Sequence, residues 1–173
     1  RSTRKRTLFP TRRSSDLLYG DFTNRGNIQL TNRAAADYTA EATDGIVDAN
    51  FLSATRNQSM LLYGPTRFYR IAISKGLSST YELYMWASSS AYFELFGYAN
   101  EGHPDEKQLL VNNNSLGLAY GTVRVGANIT VPRLNGGGNY NVSENAILWV
   151  DGGTVTKPSG TAVVVYGKVK VSA

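Results

Sequence analysis

One short phrase, Gly-x-Val, recurs in the last third of the chain and restricts what the chain can fold into. Its copies are Gly121-Thr122-Val123-Arg124-Val125, Gly153-Thr154-Val155-Thr156 and Gly167-Lys168-Val169-Lys170-Val171. Between them lie Ile129-Thr130-Val131, Ala146-Ile147-Leu148-Trp149-Val150 and Ala162-Val163-Val164-Val165-Tyr166. Each is a β-branched or aromatic run closed by Gly, Asn, Asp, Pro or Ser, the signature of a short strand whose side chains alternate between two faces. None has the three-to-four-residue apolar spacing of an amphipathic helix. Short strands with repeated punctuation predict a chain that stacks on itself.

The same pattern continues upstream. Asp21 to Leu30 alternates around an Asn24-Arg25-Gly26 turn, and Met60-Leu61-Leu62-Tyr63 is followed by a Gly64-Pro65 turn and then Phe68 to Ile73. Tyr81 to Trp86 and Ala91 to Phe96 form two further strands across a serine corner at Ser88 to Ser90. In these, Tyr81, Leu83 and Met85, and Ala91, Phe93 and Leu95, form inward faces; Glu82, Tyr84, Trp86 and Tyr92, Glu94, Phe96 face outward. Strand runs spaced this way suit a sandwich, a barrel or a solenoid. The recurrence of the phrase at Gly121, Gly153 and Gly167 favours an all-β solenoid of parallel strands. An antiparallel β-sandwich is the alternative, although it would carry more Asn-Gly or Asp-Gly hairpin turns than the single Asp151-Gly152. Ala34 to Ala42, with Asn32 as a cap, is the one helix candidate, and a loop suits it equally well.

Charge separates the chain into two parts. The net charge of +5 belongs entirely to residues 1–17, and residues 18–173 balance to zero. The body therefore has no electrostatic footprint for nucleic acid. The 42% apolar and 18% charged content of the whole chain is globular, and residues 18–173 read as one domain preceded by a basic leader. The chain has no cysteine, so disulfide and thiolate–metal chemistry are excluded. No apolar run approaches the roughly 18 residues that a membrane-spanning helix needs.

Two resemblances add to this reading. Pro10 to Leu17 (PTRRSSDL) resembles translated sequencing-adapter DNA, which implies that residues 1–17 are a non-native leader and that the native N-terminus is missing. The strand pattern still running at Val169 to Ala173 suggests that the C-terminus is missing too. Gly20 to Gly26, Arg67 to Gly76 and Asn139 to Val155 resemble phrases of large secreted bacterial right-handed parallel β-helix proteins, which are pectate-lyase-like in fold and adhesin-like or surface-exposed. That resemblance rests on repeat style and covers most of residues 19–173. It implies several rungs of a longer coil, an extracellular or cell-surface location, and polysaccharide or another cell surface as the partner.

Chemistry is sparse. His103 lies in the polar loop Asn100 to Gln108 beside Glu101, Asp105 and Glu106, and reads as part of a solvated turn. Gly136-Gly137-Gly138 lacks the Lys-Ser/Thr of a phosphate loop. Asp151-Gly152-Gly153 does not recur at calcium-repeat spacing. No metal or cofactor is expected. Glu82 and Glu94 are the catalytic candidates, because paired carboxylates cleave glycosides when held at a defined separation. Tyr84, Trp86 and Tyr92 are candidates for stacking on carbohydrate. By resemblance to lyases, Arg67, Arg70 and Lys75 are candidate bases, without the Asp cluster that would accompany them. A non-enzymatic structural or adhesive segment is the leading expectation. A polysaccharide lyase or glycoside hydrolase is the alternative.

Overall fold

Each repeat glycine stands where neighbouring backbones approach too closely for a side chain. In a computed structural model describing residues 14–31, 47–96, 115–134 and 138–172, a Cβ on Gly153 would lie 2.6 Å from the Gly126 carbonyl oxygen. One on Gly121 would lie 2.7 Å from the Lys75 Cβ, and one on Gly167 would collide with the Ser143 and Ala146 carbonyl oxygens. The repeated phrase is therefore a corner glycine followed by an inward valine.

The strands follow one another in passes. The first holds β1 (Ser14–Leu18), β2 (Phe22–Asn24) and β3 (Ile28–Gln29); the second β4 (Val47–Phe51), β5 (Gln58–Leu62) and β6 (Thr66–Phe68). The third holds β7 (Arg70–Ser74), β8 (Glu82–Ala87) and β9 (Phe93–Leu95), and the fourth β10 (Leu116–Val125) and β11 (Thr130–Val131). After these come β12 (Tyr140–Val142), β13 (Ala146–Asp151) and β14 (Thr154–Val155), and lastly β15 (Val163–Val165) and β16 (Lys168–Ser172). Ser14–Leu17, the end of the basic leader, pair with β4.

Every recorded pairing is parallel. β1, β4, β7 and the first half of β10 form one ladder. A second ladder runs β2, β5, β8, the second half of β10, β13 and β16. The third is β3, β6 and β9, with β11–β14 and β12–β15 as two-stranded pairs. Because β10 belongs to two ladders, they join into one sheet that curls until it is nearly closed. The antiparallel sandwich is thereby discarded. Parallel neighbours need a connection of a dozen residues or more, and the rest of each pass supplies it. An all-β, all-parallel sheet of this kind is compatible with a parallel β-helix.

Alternation puts one face of each strand inside. Met60 lies over Met85 and that over Val125, and Leu83 over Val123 over Leu148, all within 3% of full burial. On the first ladder Ala49, Ile71 and Leu116 stack, as do Phe51, Ile73 and Leu118. Phe22, Phe68 and Phe93 pack as a tilted series with centroids 5.9 and 5.8 Å apart. Fully burying one such side chain is worth roughly 1.5–3 kcal/mol, so contact between passes supplies stability that a lone pass lacks. Two of the three repeats share a column, since Val123 and Val169 both pair with Leu148. The third does not, because Val155 sits on Val131 in a separate pair.

The corners hold the passes in register. Asn24, almost fully buried, donates through Nδ2 to the Pro65 carbonyl at 3.0 Å and to Thr66 Oγ1 at 2.7 Å, while its Oδ1 accepts from Gly26 N at 2.8 Å. The Asn24-Arg25-Gly26 and Gly64-Pro65 turns are thus stacked corners. Two strand readings differ from the sequence. Phe68 to Ile73 is not one run, because β6 ends at Phe68 on the third ladder and β7 begins at Arg70 on the first. Ala91 and Tyr92 lie in a 3₁₀ turn, Ser90–Tyr92, with the Ser89 side chain accepting from Ala91 N, and the strand begins only at Phe93. A hydroxyl that binds local backbone competes with the ladder, which explains the late start. The Ala34 to Ala42 helix candidate, the His103 loop and Gly136-Gly137 lie outside the described residues. Among the described residues no helix is long and apolar enough to cross a membrane.

Candidate functional site

The outward face of the second ladder carries a continuous row of aromatic and charged side chains. Register places Ser59, Tyr84, Arg124, Trp149 and Lys170 side by side on successive strands β5, β8, β10, β13 and β16. Parallel neighbours are about 4.8 Å apart, close enough for each side chain to lie on the next. The Arg124 guanidinium carbon is 4.9 Å from the Tyr84 ring centroid and 4.3 Å from that of Trp149, and Lys170 Nζ is 5.0 Å from Trp149. The result is an aromatic–cation–aromatic–cation column spanning four strands.

Acids flank the column. Arg124 Nε donates to Asp151 Oδ2 at 2.6 Å, and Arg124 NH1 lies 3.8 Å from Glu82 Oε1. The hydrogen bond to Asp151, with the charge of that carboxylate, moves the Arg124 pKa further up, so this cation is permanent. Trp149 Nε1 donates to Ser172 Oγ at 2.8 Å, which fixes the indole orientation. Each exposed cation–π contact is worth about 0.5–1 kcal/mol, so the stack is ordered before any ligand arrives. Toward the next corner Arg25 lies 4.4 Å over Tyr63, which meets Trp86 edge-on at 5.5 Å. Both groups begin on β8, from Tyr84 and Trp86.

The residues singled out from sequence fall in different places. Tyr84, Trp86 and Glu82 share this face. Glu94 is on the third ladder, where Arg67 Nε donates to its Oε2 at 2.7 Å and the guanidinium lies 5.1 Å over Phe96. The two carboxylates are thus on separate ladders, each beside its own arginine. Tyr92, read as outward, packs against the core from the 3₁₀ turn; Phe96, also read as outward, is buried, and Ala91, read as inward, is exposed. Arg70 is buried 3.9 Å from Asp48, and Lys75 is fully buried with Nζ donating to Gln58 Oε1 at 2.6 Å. Both are interior cations. No group of three metal-ligating side chains occurs among the described residues.

Arg124, Trp149 and Lys170 went unnoticed in the sequence. A signal existed for two of them: the first and third repeats each carry a cation after the inward valine, Arg124 and Lys170. Placing Trp149 between them requires knowing that Ala146 pairs with Gly121. Comparison with protein-family models, with curated proteins and with solved structures finds no match for this chain.

Proposed function

We propose that this chain is a segment of a right-handed parallel β-helix, acting as a rigid, non-enzymatic extracellular scaffold that adheres to polysaccharide or another cell surface through the outward face of the second ladder. The observation that carries this reading is the Tyr84–Arg124–Trp149–Lys170 column, a pre-ordered apolar and cationic strip along the stacking direction. Right-handedness follows from the general rule for parallel crossovers, obeyed in about 98% of cases. Extended sugar polymers suit such a strip because the ring edges meet their C–H groups while the cations meet their oxygens.

Support for the scaffold over the lyase or hydrolase reading comes from the carboxylates. Both glycosidase geometries need two carboxyl groups facing one bond, and here each acid is beside an arginine on its own ladder. A glycan array combined with a reducing-end assay tests the choice. Retention of polysaccharide without turnover, weakened in Trp149→Ala, is expected. Turnover that disappears in Glu82→Gln or Glu94→Gln would overturn the scaffold reading in favour of an enzyme.

A further inference from the structure

A second outward surface has its own chemistry. On the third ladder, Gln29, Arg67 and Glu94 are neighbours in register on β3, β6 and β9. They line an open cleft of about 120 Å³ together with Asn27, Pro65, Thr66 and Ala91. This is well under the roughly 300 Å³ at which drug-sized pockets begin, so it takes one small unit rather than an extended ligand.

The groups around the cleft are balanced. Arg67 uses Nε toward Glu94 Oε2, which leaves its terminal N–H groups and Glu94 Oε1 available. The exposed amides of Asn27 and Gln29 each offer a donor and an acceptor. Pro65 and Ala91 are the apolar residues of the lining. An anionic ligand would meet Glu94 and a cationic one Arg67, and neither charge is in excess. What this arrangement complements is an uncharged ring bearing adjacent hydroxyls, each able to donate to the carboxylate and accept from the guanidinium.

We infer that the Gln29–Arg67–Glu94 cleft is a binding subsite for one uncharged pyranose unit of an oligosaccharide. It is separate from the aromatic–cation column. The column concerns adhesion by the second ladder, whereas this site gives the third ladder a preference for neutral sugars.

The experiment is a titration of the full chain followed by amide NMR, with cellohexaose, xylohexaose and mannohexaose as neutral probes and a galacturonate hexamer as the acidic one. At least one neutral hexasaccharide is expected to shift the Gln29, Arg67 and Glu94 amides, while the galacturonate hexamer leaves them unmoved. Arg67→Met and Glu94→Gln each remove a charge-assisted hydrogen bond, and each is expected to weaken the neutral sugar about tenfold or more. Both side chains are on the surface, and the dispersion of the remaining amides reports that each variant is folded. The proposal is overturned if none of the neutral probes moves these three amides, if the acidic hexamer moves them more strongly, or if both variants bind as the parent does. The Trp149 indole resonance reports the column independently, so failure of one site is distinguishable from failure of the other.

Discussion

Strand β10 passes through two environments, and its halves show how one strand type becomes either buried core or half-exposed surface. In the first half, on the ladder with β4 and β7, outward positions are as buried as inward ones: Asn50 is 3% exposed, Arg70 and Ala72 are 2% exposed, and Gly117 packs on Ala72. In the second half, beside β8 and β13, Val123 and Val125 are buried while Arg124 is half-exposed between two rings. A parallel strand covered on both faces reads as a continuous apolar or small-residue run, whereas one covered on a single face alternates. Leu116-Gly117-Leu118-Ala119 and Thr122-Val123-Arg124-Val125 follow that contrast. The consequence is chemical. A cation on the first ladder is a buried charge, and a cation on the second is partly exposed to solvent.

The junction between the halves is the place to break this contrast. Gly121 has φ +94°, and a Cβ there would lie 2.7 Å from the Lys75 Cβ and 2.9 Å from the Tyr81 carbonyl oxygen. Gly121→Val combines a left-handed β-branched residue with a backbone clash, and urea denaturation is expected to record a loss on the order of 4 kcal/mol. A loss below about 1 kcal/mol would mean that the two ladders are not joined through this glycine.

Removing one cation from each environment sharpens the comparison. Arg70→Ala removes the cation that lies 3.9 Å from the buried Asp48 and is expected to cost about 3 kcal/mol. Arg124→Ala gives up two exposed cation–π contacts and an ion pair with Asp151, and is expected to cost about 1 kcal/mol of stability. Equal losses in the two variants would contradict the division into buried and exposed faces.

A pH series probes the buried side of the same junction. Burial, aided by the Arg56 charge, lowers the Lys75 pKa from 10.5 to about 8. Between those values the unfolded chain holds a proton that the folded chain has released, so stability should rise with pH from about 8 to 10, by about 2 kcal/mol. Tyr140 acts in the opposite sense. Its buried hydroxyl, which donates to the Leu116 carbonyl at 2.8 Å, has a pKa pushed above the ordinary value of 10. Its contribution is present below pH 10 and is lost as the phenol ionises above that. Guanidinium melts across this range should peak near pH 10, and Lys75→Met should remove the rising limb. A flat or falling profile from pH 8 to 10 in the parent protein would contradict a charged, desolvated Lys75.

The smallest expected effect on folding is also the most informative about function. Trp149→Phe keeps a ring between Arg124 and Lys170 but removes the indole N–H bonded to Ser172. Its melting temperature should fall by no more than a few degrees, while polysaccharide retention is expected to weaken several-fold. Unchanged retention would remove the indole from the proposed adhesive face.

Much of this was legible in the amino acids themselves. Alternation identified Leu83 and Met85 on one strand and Phe93 and Leu95 on another as inward, and all four are buried. Asn24-Arg25-Gly26, Gly64-Pro65 and Asp151-Gly152 read as turns and are corners, the last with Gly152 at φ +81°. Legibility stopped at Ala91 and Tyr92, where the Ser89 hydroxyl turned an apparent strand into a 3₁₀ turn. It stopped again at the site. Tyr84 and Trp86 are conspicuous as aromatic residues, but Arg124 is an ordinary arginine until Trp149 is laid beside it.

Local chemistry alone determined which side chains face inward and where the chain must turn, because two-residue alternation and the absence of room for a Cβ are properties of a few adjacent residues. The tertiary structure decided which strand lies on which. Gln58 pairs with Leu83, Glu82 with Thr122 and Ile147 with Lys168, and the stretch of chain between partners differs in each case. Unequal spacings of this kind leave no fixed period in the sequence. Only the stacking of one pass on the next, driven by burial of the inward columns, brings Tyr84, Arg124, Trp149 and Lys170 into a single line.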